Sequence, residues 1–253
     1  MYVYLYDNLV RESRYSSVLR AIEIQLTDLG LSGKVLRLTN YNDVRSIIEY
    51  EIKRGAKTIV LVGDDTTFGN VIAGAADIRC TFGYLPVGGE TDIARILGIP
   101  VGPDACTTLV RRRREYLDVA EVNNRYFIGQ LHVPPAKVQV VYDDRFKISA
   151  GDLMEIYVCN IKPFTPKKLL GNAPHTVHPQ DGRLEAYLQP LTKKPWWGYT
   201  TEEASIFPFN EMKVVGLKTF AVEADGRVSK ESRLVIRMAD CKVDMIVGKE
   251  RQF

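Results

Sequence analysis

The chain has 253 residues, 45% hydrophobic and 26% charged, with a net charge of +3. Enough apolar side chain is present to offset ordering entropy, which excludes a disordered chain. The longest apolar runs, Thr58–Val62 and Leu153–Cys159, are strand-sized and fall short of the roughly 20 residues of a membrane-spanning helix. No basic segment followed by an apolar one opens the chain, so no secretory signal is expected. Cys80, Cys106, Cys159 and Cys241 stand far apart without a CxxC pair, and are expected as buried free thiols of a cytosolic protein.

Met1–Tyr6 is aromatic and β-branched and reads as a buried first strand. Tyr15–Leu29 carries Val18, Leu19, Ile22, Ile24, Leu26 and Leu29 near helical spacing and stops at Gly30. Lys34–Leu38 is a short strand, and a helix capped by Asn40 or Asn42 runs on to Arg54 before Gly55. Thr58–Val62 is a continuous apolar run, as in a strand buried on both faces. A helix from near Phe68 to Gly74, a strand Gly83–Val87 and a helix Thr91–Leu97 follow. Repeated strand–helix units with short loops predict a parallel Rossmann-like sheet.

The second half changes character. Strand-like runs at Leu117–Val122, Tyr126–Leu131, Val138–Tyr142, Leu153–Cys159, Leu184–Leu188, Lys213–Leu217, Ala221–Glu223, Leu234–Arg237 and Lys242–Ile246 are separated by turn pairs such as Asn123-Asn124 and Asp225-Gly226. The fold class expected is therefore α/β plus β. An α/β nucleotide-binding domain over residues 1–110 precedes a β-rich antiparallel, sandwich-like domain over residues 111–253, whose last strands are candidates to pack back on the first domain.

Open parallel sheets bind ligands beyond the carboxyl ends of their strands. There Thr58–Val62 runs into Gly63-Asp64-Asp65-Thr66-Thr67, and the next strand delivers Pro86-Val87-Gly88-Gly89-Glu90-Thr91-Asp92. Helix N-termini of this kind suit phosphate, and the carboxylates suit Mg²⁺. Read alone, the same loops also suit plain helix-capping turns. Walker A, GxGxxG and HExxH motifs are missing.

The order of these pieces resembles the diacylglycerol kinase catalytic family, which includes bacterial lipid kinases and is related in fold to NAD kinases. The family's GGDGT corresponds to Gly63–Thr67, and its P-x-GTGND-x-A-R-x-LGIP to Pro86–Pro100, the most specific match in the chain. Tyr116–Val119 with Asn123, Tyr126 and Phe127, then Asn160, Pro179–Leu184 and Asp225-Gly226, resemble its later segments. The resemblance implies transfer of the ATP γ-phosphoryl group to a lipid hydroxyl, diacylglycerol-like or related, with ATP and Mg²⁺ bound between the two domains. It makes Asp225 and Asp65 the catalytic candidates, Asp225 as general base, and gives Asp65 and Asp181 to metal. Gly63, Asp64, Thr66, Thr67, Gly88, Gly89 and Thr91 are assigned to the nucleotide. For Asp225 and Asp181, a plain turn role is the alternative.

The chain also departs from the family. Asp64, Thr66 and Glu90 stand at motif glycines, Thr91 and Asn70 replace an asparagine and a glutamate, Arg227 replaces the glutamate of DGE, and Tyr6-Asp7-Asn8 occupies the usual Asn-Pro-x-Ser-Gly loop. Threonine suits a positive φ poorly, and a carboxylate at 64 repels triphosphate unless a cation intervenes. The alternative function is accordingly a non-catalytic lipid- or nucleotide-binding pseudokinase.

Three other segments are noted. Arg111–Arg114 is a basic run, read as a solvated hinge, and no nucleic-acid partner is expected. Lys193, Lys194, Trp196 and Trp197 form a candidate membrane contact, with ring packing in the β core as the alternative. His175 and His178 are expected as loop histidines. A cytoplasmic protein with peripheral contact at the inner membrane surface is the expected placement, and a homodimer is a candidate assembly.

Overall fold

The computed structural model describes residues 1–89, 91–149, 152–163, 177–194 and 198–253. Glu90, His175, Trp196 and Trp197 lie outside the described residues, so the readings made on them do too. Contacts divide the chain into two units, residues 1–117 with 241–253, and residues 118–240.

The first unit is α/β. Strands β1 (Tyr2–Tyr6), β2 (Gly33–Arg37), β3 (Thr58–Gly63) and β4 (Thr81–Pro86) lie in the order β2-β1-β3-β4, all parallel. Every residue of β3 and β4 is buried, as their uninterrupted apolar runs require. Helices α1 (Ser16–Asp28), α2 (Val44–Lys53), α3 (Asp65–Ala75), α4 (Asp92–Ile96) and α5 (Ala105–Arg111) connect the strands or follow them. α1 and α2 turn Ile22 and Leu26, and Val44 and Ile48, to the core. Asp43, rather than Asn40 or Asn42, occupies the position before α2; Asn40 instead accepts from the Asn42 N–H at 2.9 Å. The end of the last strand returns to this unit, pairing Asp244 and Met245 in parallel with Thr81 and Phe82.

The second unit is antiparallel. It contains β6 (Arg125–Phe127), β7 (Gln130–Ala136), β8 (Val138–Tyr142), β9 (Phe146–Ser149), β10 (Leu153–Cys159), β11 (Leu184–Lys194), β12 (Gly198–Thr201), β13 (Ser205–Phe209) and β14 (Glu211–Ala224). β5 (Arg114–Val122) enters it and β15 (Arg227–Ile246) leaves it. The path runs β12-β11-β10-β7-β14-β15, with β13 on β11, β8 and β9 beyond β14, and β6 on β5. Alternate residues such as Leu131, Val133, Ile156, Val158, Ala186, Leu188 and Val222 close on one apolar cluster. The expected α/β plus β class is the observed one, with parallel strands near the N-terminus and a large antiparallel sheet after them. Among the described residues no helix is long and apolar enough to cross a membrane.

Candidate functional site

In the α/β unit, four loops leave the carboxyl ends of β1, β2, β3 and β4. The sheet register places them together: the Asp7 N–H donates to Val62 at 3.0 Å and the Val87 N–H to Gly63 at 2.7 Å. The first loop presents Asp7 and the second Tyr41, whose hydroxyl donates to Asp7. Burial, then this bond, raises the Tyr41 phenol well above its ordinary value, with the Asp64 charge adding to the shift. The Thr67 hydroxyl opposes it, so Tyr41, Asp7, Asp64 and Thr67 form one polar group.

The loop after β3 is a helix start. Asp64 has extended backbone (φ −101°), and its Oδ1 accepts the Thr67 N–H at 3.0 Å and the Thr67 hydroxyl at 3.2 Å. This N-cap satisfies an N–H that the helix leaves open. α3 therefore begins at Asp65, three residues before the position read from the sequence. Gly63 is required by close approach, since a Cβ there falls 2.3 Å from Thr67 Oγ1. Thr66 lies exposed in the first turn of α3. Neither it nor Asp64 adopts a positive φ, which overturns the expected strain at the replaced glycines. An N-cap and a helical first turn need no left-handed residue.

Asp65 turns inward. Its Oδ2 accepts the Ile93 N–H at 3.1 Å, and its Oδ1 faces the Tyr84 hydroxyl at 3.4 Å. Asp65 thereby ties the loop after β3 to the first turn of α4. The Tyr84 phenol is pushed up by burial and then by the Asp65 and Asp64 charges. The loop after β4 makes a positive-φ turn at Gly88 (φ 113°), which a side chain would strain. Gly89 faces the second oxygen of Asp64, 3.8 Å from where a Cβ would stand. Thr91 precedes α4 without a capping bond. Asn70, the residue at the family's glutamate, is buried and donates to the Thr66 carbonyl at 2.8 Å.

In the β unit, Asp225-Gly226 joins β14 to β15 with both residues at positive φ (48° and 79°), as in a two-residue hairpin turn. The half-buried Asp225 carboxylate accepts N–H bonds from Ile128 at 2.8 Å, Gly129 at 2.9 Å and Gln130 at 3.0 Å. Burial raises its pKa above the ordinary value, against the lowering by these N–H groups and by Arg227. Asp181 sits in an exposed turn and accepts the Arg183 N–H at 2.9 Å. Asp118, buried, grips that turn by accepting the Gly182 N–H at 2.8 Å. Asn160 donates to the Asp118 and Ile128 carbonyls at 2.8 and 3.0 Å. Lys193 and Lys194 are exposed at the end of β11.

Gly63, Asp64, Asp65, Thr67, Gly88 and Gly89 thus share one end of the parallel sheet, while Asp181 and Asp225 belong to the β unit. Tyr41 was not foreseen. It lies in a loop with no motif, and only the fold brings it to Asp7.

The resemblance read from the motifs holds. Residues 10–122 match the diacylglycerol kinase catalytic domain. Over 89 residues the chain is 34% identical to a probable YegS-like lipid kinase of Pseudomonas aeruginosa, covering 34% of this chain and 30% of that protein. Over 75 residues it is 39% identical to a diacylglycerol kinase of Bacillus subtilis, covering 28% and 25%. The matched stretch therefore spans less than a third of these relatives. In three dimensions the chain is similar to a diacylglycerol kinase of Bacillus anthracis, with TM-score 0.76 and 18% identity over 99% of this chain and 97% of that one. It is also similar to an NAD kinase of Archaeoglobus fulgidus in complex with ATP, with TM-score 0.63 and 13% identity over 99% and 95%. The fold is that of diacylglycerol and NAD kinases.

Proposed function

We propose that this chain is a lipid kinase-like phosphotransferase that moves the γ-phosphoryl group of ATP to the hydroxyl of a lipid-like acceptor. The observation that carries this reading is the joined pair of loops after β3 and β4. Both lie within the matched stretch, and the Asp65–Ile93 bond holds them together. Phosphoryl transfer needs little covalent help from protein and depends on positioning and charge stabilisation. In this reading the two loops position the nucleotide phosphates, with Gly88 and Gly89 letting the backbone approach them and Asp65 fixing one loop against the other. Asp225 acts as a positioning residue, because its carboxylate oxygens hold the backbone at residues 128–130.

Among the described residues no group of three or more His, Cys, Asp or Glu side chains could hold a metal ion by itself, so the Mg²⁺ implied by the resemblance would rest on nucleotide phosphates with Asp64 or Asp65 beside it. No step of this reading runs through a protein-bound Mg²⁺.

One observation favours a second reading, a non-catalytic lipid- or nucleotide-binding protein in which the phosphate position is weakened. The Asp64 carboxylate occupies the N-terminus of α3 and takes the Thr67 N–H that a phosphate would use. A thermal-shift titration with ATP, followed by labelled-phosphate transfer to diacylglycerol micelles, separates the two. The kinase reading predicts an ATP-dependent melting shift and transfer that Asp65→Ala abolishes. A shift without transfer leaves the binding reading, and the absence of both shift and transfer overturns the kinase reading together with nucleotide binding.

A further inference from the structure

A cavity of about 900 Å³ opens in the α/β unit away from the β3 and β4 loops, where the chain after α4 meets α5 and the C-terminal segment. Its floor is backbone pressed against backbone. The Gly248 N–H donates to Leu97 at 2.8 Å and the Gln252 N–H to Ile96 at 2.9 Å. A Cβ on Gly98 would fall 2.4 Å from the Arg251 nitrogen, and one on Gly248 would overlap the Gly98 carbonyl. Only glycine allows this approach.

The charged lining is Arg95, Arg111, Arg113 and Lys249 against Asp104 and Glu250. Arg95 is held by Asp92 at 3.3 Å and by Gln252 at 3.2 Å. Arg111, Arg113 and Lys249 are exposed, and among the described residues none makes an ion pair or side-chain hydrogen bond. Two of them come from the 111–114 arginine run. The other two arginines of that run are engaged elsewhere: Arg112 donates to the Tyr2 and Thr58 hydroxyls at 3.2 Å, and Arg114 binds Asp244. The run is thus divided by the fold into two structural cations and two that face one cavity.

We propose that this cavity binds a phosphorylated polyol, with Arg111, Arg113 and Lys249 on the phosphate and Asp104 and Glu250 accepting from its hydroxyls. Guanidinium forks match phosphate oxygens in pairs, and an ammonium adds a compact charge. Three cations without carboxylate partners suit a phosphomonoester of charge near −2, and the two carboxylates disfavour a ligand that is anionic throughout. A phosphate next to polyol hydroxyls is offered by soluble glycerol phosphate, a monoester that matches the three cations best, and by the headgroup of a phosphatidylglycerol-type lipid, a diester with a single negative charge. The inference does not rest on the kinase reading, because it uses none of the nucleotide-loop residues.

The test uses the full chain and the triple variant Arg111→Gln/Arg113→Gln/Lys249→Gln, read beside each of its three single variants, with Arg112→Gln as the single-charge control for a cation of the same run outside the cavity. Thermal shift is read with sn-glycerol 3-phosphate and with inorganic phosphate. Co-sedimentation is read with phosphatidylcholine vesicles with and without phosphatidylglycerol. The expected result is binding that weakens at least about tenfold in the triple variant, each lost contact being charge-assisted, and that survives in Arg112→Gln. Affinity for glycerol phosphate alone assigns a soluble ligand, and affinity for phosphatidylglycerol vesicles alone assigns a lipid headgroup. The triple variant should still bind ATP like the parent chain. The proposal is overturned if the parent chain binds none of the probes, if the triple variant binds as well as the parent, or if Arg112→Gln loses as much.

Discussion

The turn at Asp64 and the turn at Asp225 use one device in two settings. In each, a carboxylate singled out in the sequence accepts backbone N–H. Asp64 takes one backbone N–H and one hydroxyl, both from Thr67, at the mouth of a helix. Asp225 takes three N–H groups from one strand entry, across nearly a hundred residues of sequence. The difference is in what depends on the carboxylate. At Asp64 it closes a local turn that glycine can also make, so that position is adjustable. At Asp225 it anchors β14 and β15 to the start of β7, so the position is fixed by architecture.

The largest effect expected from this contrast is on stability. Asp225→Ala should cost about 2–3 kcal/mol, since three N–H groups lose their acceptor and alanine is disfavoured at φ 48°. Urea unfolding measures it, and a change within 0.5 kcal/mol, the size of a neutral surface substitution, would remove the anchoring role. The same residue has a pH signature. Its pKa is raised in the folded state above the ordinary 3.8. Its contribution is therefore most favourable below that value and declines as pH rises through the folded pKa. Asp225→Asn should flatten this part of the stability profile.

Next in size is nucleotide affinity. Asp64→Gly restores the family glycine, frees the Thr67 N–H and removes a negative charge, and should tighten ATP binding by about tenfold, or 1.4 kcal/mol. It should cost only a few tenths of a kcal/mol in stability, because glycine is a tolerated N-cap. Calorimetric titration decides it, and unchanged affinity would show that Asp64 does not compete with phosphate. A smaller effect of about 1 kcal/mol is expected for Thr67→Val, which keeps the shape beside Gly63 but removes the hydroxyl bond to Asp64. The smallest is chemical. Burial pushes the Cys80 thiol up to about 12, so its alkylation near pH 8 should be slow and should accelerate steadily with pH. Rapid labelling at pH 7 would contradict that burial.

Much of the α/β unit was legible because its strands are buried on both faces. The run Thr58–Val62 has no other use than a central strand, and the structure extends it by one glycine. Helix α5 was not read, since Ala105–Arg111 is short and carries threonines and valine where a longer amphipathic stripe would stand. In the β unit, β14 was read as two strands, Lys213–Leu217 and Ala221–Glu223, with the polar Lys218-Thr219 step between them. That step is instead an irregularity inside one strand. The register shifts between Val215 and Phe220, and a Cβ on Gly216 would strike the Phe220 ring at 2.7 Å. The candidate site was legible as motif positions but not as bonds. Sequence placed Asp64 and Asp65 side by side. Only the helix start shows that one caps α3 and the other turns inward to α4. Tyr41 carried no signal, because its partner Asp7 is 34 residues away.

The central claim is that the loops after β3 and β4 still serve phosphoryl transfer to a lipid hydroxyl. Incubating the chain and Asp64→Gly with γ-labelled ATP and diacylglycerol micelles tests it most directly. The account predicts labelled phospholipid from the parent chain and, at sub-saturating ATP, more from Asp64→Gly. Label that never enters the lipid phase with either protein, although ATP binds, would contradict it and leave a nucleotide-binding protein on a kinase fold.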